Sequence, residues 1–135
     1  MNWLVTMKNV AGITSPVVQG KRTFFHIEAH EYFPMEAQAG EEALLIGKYS
    51  FSRKSFMKAE ETLMSAIGKS YEWIIIDEIG PLELSESGLH KVLLEILQKT
   101  NSNLLLVVRD SILHDVIKKY NLTEPNILNI KSFPS

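Results

Sequence analysis

Cysteine is absent from all 135 residues, which excludes a disulfide framework, a thiolate zinc site and a cysteine nucleophile. A basic excess is lacking too, because 14 Lys and Arg stand against 16 Asp and Glu and leave a net charge of −2. A broad nucleic-acid-binding face needs surplus cations to release counterions from phosphates, so no nucleic-acid partner is expected. Long apolar runs are missing: stretches such as Leu104 to Val108 fall far short of the roughly 20 residues that span a bilayer. No membrane partner is expected either. Met1 to Lys8 lack the basic opening and sustained apolar stretch of a secretory signal, so the expected location is cytoplasmic. No repeat or low-complexity stretch occurs, and the seven Gly and five Pro are scattered rather than pooled into a linker. A chain of this length buries about two-thirds of its unfolded surface. That predicts one domain over residues 1–135.

What is present is organised by hydrophobic period. Pro16 to Ala29 hold two β-prone runs around Gln19-Gly20-Lys21, a hairpin pattern. Ala43 to Phe51 read as a further strand. From Ser52 the period becomes helical, with Phe56, Ala59, Leu63, Ala66 and Ile67 on one stripe, Ser52 as N-cap and Gly68 as stop. Trp73-Ile74-Ile75-Ile76 is apolar on both faces, as a buried parallel strand is. A stripe from Leu89 to Leu97, a strand at Leu104 to Val108, a stripe from Ile112 to Tyr120 and a last strand at Asn126 to Ile130 follow. This alternation predicts an α/β fold whose parallel sheet is covered on both sides.

In such a sheet, chemistry gathers at the carboxyl ends of the strands. One strand ends in Ile76-Asp77-Glu78-Ile79-Gly80, the arrangement P-loop hydrolases use at their Walker B position. There the first carboxylate orients Mg²⁺ and the second polarises the attacking water. The plain alternative is an acidic pair opening a solvated loop.

The longer string Ile74-Ile75-Ile76-Asp77-Glu78-Ile79-Gly80-Pro81-Leu82-Glu83-Leu84 resembles the signature of the small nucleoside-triphosphatase family known from thermophiles and vertebrates. Gly12-Ile13-Thr14-Ser15-Pro16-Val17-Val18 with Gly20-Lys21-Arg22-Thr23-Phe24 is similar to the family's inserted hairpin. Ile46-Gly47-Lys48-Tyr49 and then Phe56 resemble its Val-Gly-Lys-Tyr strand and following helix. These segments cover about residues 10 to 110 in order. The resemblance implies a three-layer P-loop-type α/β domain with a mostly parallel sheet, a hairpin insertion at 14–30 and the Walker B half of the core at 72–130. It implies Mg²⁺-dependent hydrolysis of a nucleoside triphosphate. Asp77 would be the metal-orienting carboxylate and Glu78 the catalytic one, with Arg109, Lys48 and Arg22 as candidate nucleotide contacts.

One family element has no counterpart in these residues, the loop Gly-x-x-x-x-Gly-Lys-Ser/Thr that cradles phosphates. Ala66-Ile67-Gly68-Lys69-Ser70 has Leu63 where the first Gly belongs and runs from helix to strand, so it reads as a helix C-cap. In the family the phosphate-loop strand lies beside the Walker B strand. Its absence therefore predicts that Ile74 to Ile76 expose unpaired backbone, to be covered by Asn2 to Met7, a second copy, a partner chain or a rearranged strand order. It also predicts little or no hydrolysis by the isolated chain. Two rival readings keep the fold: a non-catalytic binding or assembly module, and a fragment that pairs with a separate phosphate-loop polypeptide.

Among the remaining residues, His26, Glu28 and His30 share one face if they lie on a strand, where they read as a solvated hairpin face rather than metal ligands. Glu83 matches a family acidic position or stabilises a helix N-terminus. His90 and His114 are expected in solvent, and Met57 and Met64 in the core.

Overall fold

The computed structural model describes residues 9–46 and 49–123. Five strands precede the first helix's own entry strand: β1 (Val10–Thr14), β2 (Val17–Val18), β3 (Lys21–His26), β4 (Glu31–Pro34) and β5 (Ala43–Ile46). Then come β6 (Tyr49–Ser52), α1 (Arg53–Ile67), β7 (Trp73–Ile79), α2 (Pro81–Leu84), α3 (His90–Lys99), β8 (Asn103–Val108) and α4 (Asp110–Lys119). The main sheet is mixed. Strand β7 pairs in parallel with β1 and with β8, while β3 pairs antiparallel with β1, β2 and β4.

Ile74 to Ile76 do not form an exposed edge: the cover expected for them comes from another strand of this same chain. Residues Ile74, Ile75 and Ile76 face Ala11, Gly12 and Ile13 on one side and Leu104, Leu105 and Leu106 on the other. Strand β1, the lead-in to the hairpin, fills the position. It comes close because residue 12 is glycine: φ is +137°, and a Cβ there would lie 2.0 Å from the Ile75 carbonyl oxygen, which no side-chain-bearing residue tolerates. Asn9 ties the strand starts together, its side-chain amide donating to the Ser70 carbonyl (2.5 Å) and its own carbonyl accepting from the Glu72 N–H (2.9 Å). Among the described residues, β8 pairs only with β7.

The hairpin forms as the sequence predicts. Gln19 (φ 51°) and Gly20 (φ 76°) turn the chain with both residues left-handed, the twist that two-residue hairpin turns favour. The expected strand from Ala43 to Phe51 is instead a separate two-stranded hairpin, with Ala43 opposite Ser52 and Ile46 opposite Tyr49. The β-prone residues on both arms read as one run because only two residues separate the two strands in sequence. Residues 47 and 48 lie outside the described residues, as do Asn2 to Met7 and Asn126 to Ile130.

Helix α1 starts where Ser52 Oγ accepts from the Ser55 N–H (3.1 Å) and ends at Gly68, so the sequence segment resembling a phosphate loop is a helix stop. Its stripe of Phe56, Ala59, Leu63 and Ala66 is buried. It joins Ile13, Phe24, Ile74, Ile76, Leu93, Ile96 and Val116 in the core. Each of the larger side chains contributes about 1.5–3 kcal/mol by leaving water. Ile74, Ile75 and Ile76 are all fully buried, and because successive strand side chains point to opposite faces, both faces of β7 are covered. Met57 and Met64 are exposed rather than core. They sit one position past Phe56 and Leu63, where a helix turns its side chains away from the buried stripe.

Candidate active site

Strand β7 runs three residues beyond its apolar stretch and carries Asp77 and Glu78 within its last turn of pleat, where its register with β8 is interrupted between Asp77 and Ile79. The Asp77–Glu78 peptide is cis. The Ser15 hydroxyl, just past the end of β1, donates to the Asp77 main-chain carbonyl. The Asp77 carboxylate makes no hydrogen bond or ion pair to any described residue. Burial, reinforced by the neighbouring Glu78 charge, pushes its pKa from 3.8 up to about 6. A desolvated carboxylate beside a second one lacks a compensating cation.

Glu78 has a cation beside it. Arg109 follows β8 and caps α4, and its Nε lies 3.3 Å from Glu78 Oε2. The parallel pairing of β7 and β8 brings the two residues together across 31 positions of sequence. The pair is partly solvated, with Arg109 58% and Glu78 30% exposed. A cavity of about 230 Å³ opens beside Glu78; its lining includes the polar Ser15, Arg22, Glu83 and Arg109 and the aromatic Phe24, Phe51 and Phe56. Three of the five sequence-selected residues, Glu78, Arg109 and Arg22, thus face one cavity. Asp77 does not line it, and Lys48 lies outside the described residues.

Glu83 is not a surface acid. It is 3% exposed, and its two carboxylate oxygens accept from the Gly80 N–H (2.8 Å) and the Leu89 N–H (2.9 Å). Burial raises its pKa while those backbone bonds lower it. It therefore fastens the loop after β7 to the start of α3, holding the cavity wall. Gly88 (φ +59°) makes room for it, since a Cβ there would lie 2.2 Å from Glu83 Oε2.

Two histidine expectations change. His90 is 11% exposed in its side chain, and its Nδ1 lies 2.7 Å from the Tyr120 hydroxyl, which donates to the Glu83 carbonyl (3.0 Å). Since that hydroxyl's only proton goes to the carbonyl, His90 Nδ1 carries the proton of the first bond. Helical stripes alone do not show this, because the partner lies on α4's far end. Strand β3 ends at His26, and residues 27–30 form a turn, so His26, Glu28 and His30 do not share a strand face. Glu28 pairs with His26 (3.3 Å) and accepts from the Gly12 N–H (3.0 Å). Among the described residues no three His, Cys, Asp or Glu side chains converge on a metal position. Ser15 and the three phenylalanines of the cavity were not singled out from sequence as site residues. Their patterns mark Phe24 and Phe51 only as strand and Phe56 only as helix, and nothing local tells a lining ring from a core ring.

The model of the NTPase family, NTPase_1, matches residues 4–132. Among solved structures, THEP1 from the hyperthermophile Aquifex aeolicus superposes with a TM-score of 0.66 at 19% identity, over 94% of this chain and 78% of that one. The solution structure of a human cancer-related nucleoside triphosphatase gives 0.61 at 19% identity, over 90% of this chain and 74% of that one. No curated protein sequence matches. The overall fold is thus similar to that of these two structures, and the family match over nearly the whole length shows that the chain belongs to the NTPase family.

Proposed function

We propose that the end of β7 is the metal and water-activating half of a nucleoside-triphosphatase site, in a cytoplasmic protein. The observation that carries this is the pair Asp77 and Glu78 at the end of a buried central strand, with Arg109 of the next strand held on Glu78. Mg²⁺ fits the donors: it takes hard oxygen ligands from one or two carboxylates together with substrate phosphates, and Asp77 is a partly buried carboxylate with no partner among the described residues. Bound there, the ion supplies charge neutralisation on the phosphate oxygens. Asp77 holds it, directly or through water. Glu78 accepts the proton of the attacking water and orients it. Arg109 and Arg22, in the cavity's lining, oppose the charge of the phosphates, and Lys48 is assigned to the same task. Turning from Glu78 to a phosphate costs Arg109 little, because a half-exposed ion pair is worth under about 1 kcal/mol.

The 135 residues contain no Gly-x-x-x-x-Gly-Lys-Ser/Thr segment, so they do not by themselves cradle the phosphates. The purified chain then releases little or no phosphate from Mg-ATP. Release that Glu78→Gln abolishes would place a complete site in these residues and overturn the half-site reading.

A further inference from the structure

The wall of the cavity beside Glu78 says more about the second reactant than hydrolysis requires. Water needs no binding pocket, yet the lining of the space includes Phe24, Phe51 and Phe56, together with Met35 and Leu89. Phe56 packs edge-on against Phe24 (centroids 5.0 Å apart) and Phe51 (5.8 Å), which fixes the rings as a rigid surface. At about 230 Å³ the cavity is smaller than the roughly 300–1,000 Å³ that bury a whole drug-sized ligand. A nucleoside triphosphate does not fit inside it; a small ring does.

Position decides which reactant that ring belongs to. A carboxylate that takes the nucleophile's proton must face the nucleophile, and in-line displacement puts the leaving diphosphate on the opposite side of phosphorus. Glu78 lines the cavity and Asp77 does not, so the cavity lies on the nucleophile's side. We propose that it seats an acceptor alcohol, a small molecule with an apolar ring and a hydroxyl directed at Glu78, so that the assembled site transfers the γ-phosphoryl group to that hydroxyl. This rests on the nucleotide reading above. The acceptor oxygen forms a new bond to the γ-phosphorus as the bond from phosphorus to the β–γ bridging oxygen breaks. The nucleoside diphosphate leaves with that electron pair, and the hydroxyl proton passes to the Glu78 carboxylate. The ring is apolar rather than a polar heterocycle because most lining side chains, Phe24, Met35, Phe51, Phe56 and Leu89 among them, are apolar and offer ring nitrogens or carbonyls none of the partners that buried polar atoms need.

The test uses the full chain and two probes that differ only by a hydroxyl, 2-phenylethanol and ethylbenzene, titrated while the Phe24, Phe51 and Phe56 ring resonances are followed by NMR. Saturable shifts at those rings are expected, with the alcohol bound about tenfold more tightly, the effect of a hydrogen bond to a charged group. Its advantage should shrink severalfold in Glu78→Gln. Equal affinity for the two probes, or no shift at the three rings, overturns the proposal. Repeating the titration with Mg-ATP present separates the two claims. Simultaneous binding supports an acceptor site, whereas competition assigns the cavity to the nucleotide and overturns it. If Mg-ATP does not bind at all, the nucleotide reading fails and the acceptor role falls with it, while the two-probe comparison still reports the cavity's own preference.

Discussion

Arg109 Nε lies 3.3 Å from Glu78 Oε2, joining the ends of β8 and β7. Two parallel neighbours that end at the same level deliver a cation and a carboxylate to one point, and the cavity opens beside them. Because both partners are partly solvated, the pair contributes little to stability. Arg109→Ala should lower the unfolding free energy in urea by less than about 1 kcal/mol, so that any larger effect on ligand binding is not a folding artefact. A loss above about 2 kcal/mol would mean the pair is structural.

Asp77 makes stability depend on pH in an unusual direction. Its folded pKa, about 6, lies above its ordinary 3.8, so between those values the native state binds more protons than the unfolded state. Stability from this group is therefore present below about pH 4 and lost as pH rises through 6. Asp77→Asn removes the penalty. The variant should be more stable than the wild type at pH 7 by about 2 kcal/mol, discounted for partial exposure, with the difference vanishing near pH 4. Urea unfolding at the two pH values measures it, and a difference independent of pH would contradict the assignment.

Glu83 braces the loop after β7 against the start of α3. Glu83→Ala leaves the Gly80 and Leu89 N–H groups buried without acceptors, at about 1–3 kcal/mol each. Chemical denaturation should show a loss of at least about 2 kcal/mol. Gly88→Ala should be destabilising as well, since its added Cβ meets Glu83 Oε2 at 2.2 Å in a left-handed backbone. Wild-type stability in both variants would remove Glu83 from the cavity wall's support.

Gly12 is where β1 meets β7. With a Cβ 2.0 Å from the Ile75 carbonyl oxygen and 2.7 Å from its nitrogen, Gly12→Ala forces the central parallel pair apart. The clash is with backbone, which has nowhere to move. A loss above about 3 kcal/mol, or failure to accumulate as folded protein, is expected; a thermal midpoint within a few degrees of the wild type would show that β1 does not need this approach.

Much of this architecture is legible in the sequence, and the exceptions have physical causes. Helix α1 is read from its Ser52 cap, its Phe56 to Ala66 stripe and its Gly68 stop because all three are local. Strand β7 is read from its isoleucines, which need cover on both faces. What the sequence conceals is which strands are neighbours: Gly12 looks like part of a hairpin, and only its contact with Ile75 shows that β1 completes the centre of the sheet. His90 reads as solvent-facing from sequence because its partner, the Tyr120 hydroxyl, is supplied by tertiary packing, as is the Leu89 N–H that fastens Glu83. For the candidate site, the strand-end rule places Asp77, Glu78 and Arg109 at one end of the sheet, whereas the aromatic lining of the cavity assembles from β3, β6 and α1, which no local pattern links.

The central claim is that the end of β7 holds Mg²⁺ with a nucleoside triphosphate. Calorimetric titration of the chain with ATP, with and without Mg²⁺ and in wild type against Asp77→Asn, tests it most directly. Binding that requires Mg²⁺ and weakens at least about tenfold in the variant, the effect of losing roughly 1.4 kcal/mol of carboxylate-metal interaction, is the predicted result. ATP binding of equal strength without Mg²⁺ and in Asp77→Asn would contradict it.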